Sequence, residues 1–155
     1  MKKIIRTFLL LFMLLALPQA VMAANGDVVG NIYSTDIKAN VNGVWVDSYC
    51  IDGKTVVIVE DITDNYRYYD SVRTLICSDF DKDYLKEGTN KEKQVPGKIT
   101  GKIYETDIKT YINGFLVPCY ALNGKMAVAL EDLGNDGAFS DNGGKYIWNP
   151  DERTI

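Results

Sequence analysis

Two pairs of adjacent carboxylates, Glu60-Asp61 and Glu131-Asp132, are the side chains in this sequence best suited to hydrolytic chemistry. Glycosidases use two carboxyl groups that face each other across about 5–9 Å. Neighbouring residues on a helix point about 100° apart, so neither pair can face itself across a substrate. Because each pair begins a predicted helix, we interpret the charges as stabilising the helix N-terminus. We predict no catalytic residue, and a histidine-free hydrolase is the least favoured hypothesis.

Histidine is absent from the whole sequence. This excludes the Ser-His-Asp and Cys-His nucleophile systems, whose base is an imidazole, and the zinc, copper and iron sites that require imidazole. We predict no cofactor and no metal. Calcium binding by Asp132, Asp136 and Asp141 stays open, although Gly134 and Gly143 depart from the ligand spacing of an EF-hand.

The aromatic side chains suggest a different kind of site. Exposed tyrosine and tryptophan rings can stack on sugars or contact a peptide, whereas buried rings would only fill a core. Strand alternation places Tyr68 and Tyr69 on opposite faces, so at least one should reach the surface. The predicted ligand-binding residues are Tyr66, Tyr68, Tyr69, Tyr146 and Trp148.

Three cysteines, Cys50, Cys77 and Cys119, allow at most one intramolecular disulfide. All three pairings are open, and Cys50–Cys77 is the first choice because both residues lie in one half of the chain. Without histidine, none of the three is expected to be a catalytic nucleophile.

The first 23 residues have the pattern of a secretory signal. A basic start precedes an unbroken apolar run over residues 8–17, then a proline and small residues that suit signal peptidase. The run is shorter than the ~20 residues that a membrane-spanning helix needs. We therefore predict a secreted or extracellular protein at the cell envelope, with no membrane span after signal cleavage.

The predicted mature chain is acidic. Three of the 17 basic residues lie in the signal, which leaves 14 basic against 21 acidic side chains. Nucleic-acid binding requires many Lys and Arg contacts to phosphate, so we predict no nucleic-acid partner.

The strongest feature of the mature chain is an internal repeat. Residues 30–62 match residues 101–133 without a gap at an offset of 71, with 16 of 33 positions identical. Residues 70–75 then correspond to 150–155 at an offset of 80. Asp36 and Asp107 follow threonine in both copies, and their repetition favours a role in the fold over a cation site. We predict four segments: a signal peptide (1–23), a first repeat (24–77), a linker (78–99) and a second repeat (100–155).

Each repeat predicts the same small set of elements. Asn42-Gly43 and Asn113-Gly114 suit two-residue type I′ hairpins, and a second turn follows at Asp52-Gly53 and Asn123-Gly124. We expect a strand ending near Val57, a short helix over about residues 58–65, and a strand from Tyr68 to Cys77. The predicted fold class is α+β, with two tandem copies of a small antiparallel sheet packed on one short helix.

This combination of an Asn-Gly hairpin, a second glycine turn, a Glu-Asp-Leu helix and a terminal Arg-Thr strand resembles the copper amine oxidase N-terminal-like repeat, or stalk domain, of exported bacterial proteins. The resemblance covers residues 30–77 and 101–155. It implies a small antiparallel sheet on a helix, in a module that holds neither copper nor redox cofactor in the oxidases.

These features favour a non-catalytic exported module with a binding or structural role. Its expected partner is a cell-envelope component or another extracellular protein. The second hypothesis is a carbohydrate-binding module that uses exposed Tyr and Trp side chains on a polysaccharide. We also expect the two repeats to pack on one another, because each is near the size at which a lone core is marginal.

Overall fold

The computed structural model describes residues 25–78, 80–89, 94–135 and 147–155, so the predicted signal peptide lies outside it. The described chain is mostly β-sheet with two short helices. In the first half the elements are β1 (Val28–Ser34), β2 (Ala39–Val41), β3 (Val44–Val46), β4 (Tyr49–Ile51), β5 (Lys54–Ile58), helix α1 (Val59–Ile62), β6 (Tyr66–Tyr69) and β7 (Thr74–Cys77). In the second half they are β8 (Ile99–Tyr104), β9 (Lys109–Ile112), β10 (Phe115–Val117), β11 (Cys119–Leu122), β12 (Lys125–Ala129) and helix α2 (Leu130–Asn135).

Three strands from each half form one closed antiparallel barrel in the order β1-β4-β5-β12-β11-β8. Alternate residues of these strands point into the barrel because the side-chain period of a strand is two. Its interior is filled by a cluster of apolar residues from both halves: Ile32, Ile51, Val56, Ile58, Ile103, Leu122, Ala127 and Ala129. The two halves therefore share a core, as expected from their small size.

A second, larger core lies on the outer side of β5 and β12. Val57 and Val128, which point away from the barrel interior, pack here with Ile62 of α1 and Leu133 of α2. The layer that covers them includes a four-stranded sheet in the order β10-β9-β7-β6 and a hairpin of β2 and β3.

The predicted type I′ turns are confirmed. Asn42 and Gly43 have φ values of 47° and 90°, and Asn113 and Gly114 have 52° and 81°. Val41 pairs directly with Val44, so the loop contains two residues. Asn and Gly tolerate positive φ at low steric cost, which is why the sequence signal was reliable here.

Two predicted elements differ from the structure. Helix α1 is only four residues long, since Thr63 is already extended at φ −149° and ψ 153°. The strand predicted from Tyr68 to Cys77 is instead a hairpin, in which β6 and β7 are joined by a 3-10 turn at Asp70–Val72. Arg73 reverses the chain with a left-handed φ of 46°, a conformation that its residue type does not signal.

The described residues of segment 78–99, predicted as a linker, make specific contacts with the first half. Phe80 is 1% exposed and belongs to the larger core. Its carbonyl accepts a hydrogen bond from Asn42 Nδ2 at 2.6 Å. Leu85 forms a β-bridge with Thr63, and Gly88 N donates to Trp45 O at 2.8 Å.

The C-terminal segment of each half pairs with the other half, as a strand in the first half and as an isolated bridge in the second. β7 lies parallel to β9, with Thr74 opposite Lys109. At the corresponding place, Thr154 forms a parallel bridge with Lys38, and Asn40 N donates to Ile155 O at 2.7 Å. The two halves are therefore interlocked and not simply placed side by side.

Candidate functional site

Each of the repeated acids forms a hydrogen bond or an ion pair with a residue of the other half. The Glu60 carboxylate accepts the backbone N–H of Met126 at 3.0 Å, and Asp61 forms an ion pair with Lys125. At the matching positions, Glu131 Oε1 accepts the N–H of Thr55 at 2.9 Å. Asp132 pairs with Lys54 at 2.7 Å. Our interpretation of these acids as helix-terminal charges was incomplete, since their main described partners lie on a neighbouring strand.

Burial affects the protonation of the Glu60 carboxyl. Burial raises the pKa of the Glu60 carboxyl, and hydrogen bonds from its own N–H and that of Met126 oppose the rise. A carboxyl with a raised folded pKa binds more protons in the folded than in the unfolded state between its two pKa values. The contribution of Glu60 to the free energy of unfolding should therefore fall as pH rises above about 4.5, the ordinary value, through the folded pKa.

Replacement of Glu60 tests this arrangement. Glu60→Ala leaves the buried N–H of Met126 without its acceptor, so we expect the free energy of unfolding to fall by about 1–3 kcal/mol. Glu60→Gln is the matched control because its side-chain oxygen still accepts this bond. Urea unfolding at several pH values measures both effects. Equal stability of Glu60→Ala and wild type would contradict the prediction, as would an unchanged pH slope in Glu60→Gln.

The repeated Thr-Asp motifs also connect the halves. Thr35 Oγ1 and Thr106 Oγ1 each accept the N–H two residues ahead at 3.1 Å, which closes a local turn. Asp36 pairs with Arg153 at 2.6 Å, and Asp107 pairs with Arg73 at 2.6 Å. The Arg73 guanidinium lowers the pKa of the Asp107 carboxyl. The geometry agrees with a role in the fold, and the two arginines occupy matching positions at the end of each half.

The predicted Cys50–Cys77 disulfide is absent from the structure. Cys50 is half-buried on barrel strand β4, whereas Cys77 is fully buried in the larger core on β7. The two lie on different sheets, so membership of one sequence repeat did not bring them together. Burial raises the pKa of the Cys119 thiol, which lies 3.3 Å from the carbonyl of Ile108.

The predicted tyrosines lie on β6, at one edge of the four-stranded sheet. Tyr66, Tyr68 and Tyr69 are 38%, 41% and 41% exposed. Tyr68 pairs with the buried Leu75, so its ring lies on the core side of the sheet. Its exposure shows that the ring extends past the buried residues into solvent. Tyr69 lies on the opposite side, as strand alternation predicts. We call Tyr66, Arg67, Tyr68 and Tyr69 together the aromatic edge.

The remaining predicted binding residues belong to the second half. Trp148 is 39% exposed and lies next to Asn149, which pairs with Thr154. At an offset of 80, Trp148 corresponds to Tyr68. Tyr146 lies outside the described residues. Trp148 is therefore not part of the sheet that contains the aromatic edge. In the repeat it holds the position that matches Tyr68.

Sequence reasoning missed a row of side chains on the outer face of the four-stranded sheet. Arg67 pairs with Ile76, Ile76 with Tyr111, and Tyr111 with Leu116. Ile76 is 38% and Leu116 55% exposed, so the row reaches solvent. Finding it requires the register between β7 and β9, which no local sequence signal supplies.

The four strands of this sheet carry a net positive charge, although the chain as a whole is acidic. Their only charged residues are Arg67 and Lys109, and none is acidic. Both point away from the core, because they alternate with the core-facing residues Tyr68 and Thr110. An acidic protein thus presents one basic and apolar sheet face beside the aromatic edge.

No group of three or more potential metal ligands occurs within the described residues. Asp132, one of the three candidate calcium ligands, is paired with Lys54. Asp136 and Asp141 lie outside the described residues.

Comparison with family models, curated proteins and solved structures finds no match to this chain. In the part of the chain that the structure describes, no helix has the length and apolar character needed to cross a membrane.

Proposed function

We propose that this protein is a non-catalytic exported module that binds a cell-envelope component or another extracellular protein. The observation that carries the proposal is the aromatic edge, where three tyrosines stay exposed on β6. This strand pairs with β7 on one side and with no described strand on the other. The repeated acids, the best candidates for chemistry, are engaged in contacts between the halves. Large amphipathic rings are the side chains that most often provide affinity at interfaces.

We also propose that the chain is a tandem duplication of a stalk-like repeat, preceded by a cleaved signal. Two observations support this proposal. The motifs resemble those of the stalk domain, and residues at matching positions of the two halves make equivalent contacts. An exported protein without a catalytic centre has to act through what it binds or holds, which agrees with the binding role.

Removal of two tyrosines of the aromatic edge should weaken partner binding without unfolding the protein. We expect Tyr66→Ala combined with Tyr68→Ala to lose at least about tenfold in retention by envelope and secreted-protein fractions, since aromatic hot spots contribute about 2 kcal/mol or more. Tyr84→Ala is the matched control, because Tyr84 is 57% exposed but lies outside this sheet. Undiminished retention of the double variant, with a normal unfolding curve, would contradict the proposal.

A carbohydrate-binding module is the second candidate, favoured by the equivalent exposed rings Tyr68 and Trp148. Sugar stacking on these rings predicts that Tyr68→Ala and Trp148→Ala together remove retardation in polysaccharide affinity gels. Retained binding to polysaccharide after both substitutions would exclude stacking on these two rings.

A further inference from the structure

We propose that the aromatic edge binds an extended peptide segment in which apolar and acidic side chains alternate, and that this segment adds a strand to β6. The inference rests on the proposed binding function and specifies its partner. It follows from three properties of the four-stranded sheet: an available edge, two chemically different sides at that edge, and strands that carry no acidic residue.

The edge of β6 is available for pairing among the described residues. β6 pairs with β7 on one side only, and no described strand lies on its other side. An exposed edge strand presents backbone N–H and C=O groups to an incoming strand. All four residues of β6 are exposed, and the strand contains no proline that would remove a donor. The opposite edge of the sheet, β10, is three residues long and is followed at once by Pro118.

The two sides of β6 differ in chemistry. Tyr66 and Tyr68 line the core side, where they extend the buried rows of Cys77 and Leu75. Arg67 lies on the outer side in one row with Ile76. Side chains on an added strand would lie about 5 Å from these residues and would alternate between the two sides.

These positions specify the side chains of the partner. Next to Tyr66 and Tyr68, apolar side chains would extend the larger core. Next to Arg67, a carboxylate would form a cross-strand ion pair, and no acidic residue on the sheet would repel it. A polypeptide is favoured over a sugar polymer because only a polypeptide can continue the ladder of backbone hydrogen bonds.

Three ten-residue peptides test the proposal against the full chain. The first alternates valine with glutamate, the second alternates valine with lysine, and the third has the composition of the first with its residues in two blocks. We expect the first to bind at least about fivefold more tightly than the other two, and to slow hydrogen exchange at the amides of Tyr66–Tyr69. Arg67→Glu should reverse the preference between the glutamate and lysine peptides. Lys109→Glu is the matched control, since Lys109 lies on the same face but two strands, or about 10 Å, from the edge.

The outcomes separate this inference from the function on which it rests. Equal binding of the three peptides, or no change in preference with Arg67→Glu, would overturn the inference. Retention by envelope fractions without binding of the first peptide would overturn the inference and leave the proposed function standing. Failure of both experiments would overturn both.

Discussion

Dividing the chain between residues 90 and 93 is expected to leave each fragment unfolded alone and to restore the fold when the two are mixed. Each fragment holds three of the six barrel strands, so a separated half exposes its side of the barrel core. Each also loses the partner of its C-terminal segment, because β7 pairs with β9 and Thr154 forms a bridge with Lys38. A sheet of this size without its covering partner has little independent stability.

Circular dichroism of fragments 24–90 and 93–155, alone and in equimolar mixture, measures this effect. We expect the β-sheet signal and a cooperative unfolding transition only in the mixture. An equimolar mixture of one fragment with unrelated unfolded protein is the control for non-specific aggregation. Two fragments that fold independently and do not associate would refute the interlocked arrangement.

Phe80→Ala is expected to lower the free energy of unfolding by about 3–5 kcal/mol, as for other large side chains removed from a core. Phe80 is among the largest fully buried side chains, although it lies in the segment predicted as a linker. The loss is a large share of the about 5–15 kcal/mol that stabilises a typical domain. Urea unfolding gives the value from the midpoint and slope.

Tyr84→Ala provides a control from the same segment. Tyr84 is exposed, so its removal should change the free energy of unfolding by no more than about 0.5 kcal/mol. Similar small effects of both substitutions would mean that the segment does not contribute to the core.

Local features of the fold were predictable because their causes are local. The Asn-Gly turns depend on the positive φ that Asn42 and Gly43 adopt readily, and the flanking β-type residues set the hairpin. The exposure of Tyr68 or Tyr69 followed from strand alternation. The hairpin of β6 and β7 was missed because its reversal depends on Arg73, whose residue type gives no turn signal.

The candidate site was predictable only in part. The tyrosines of β6 were identified from their clustering, but the outer row of Ile76, Tyr111 and Leu116 was not. That row exists because strands from different halves pair in one register. The Cys50–Cys77 pairing failed as a prediction for the same reason, since proximity in sequence did not place both residues on one sheet.

The amino-acid pattern alone was enough to show that two matching segments build most of the chain, where their turns lie, and which acids and arginines recur. It did not determine whether each recurring pair meets within one half or between halves. Glu60 could meet Met126 or its equivalent Thr55, and Arg73 could meet Asp107 or its equivalent Asp36, because matching residues have matching chemistry. In the folded protein both contacts form between the halves, because closing the barrel buries apolar surface from both halves. That choice also placed β6 at the edge of a sheet and exposed its tyrosines.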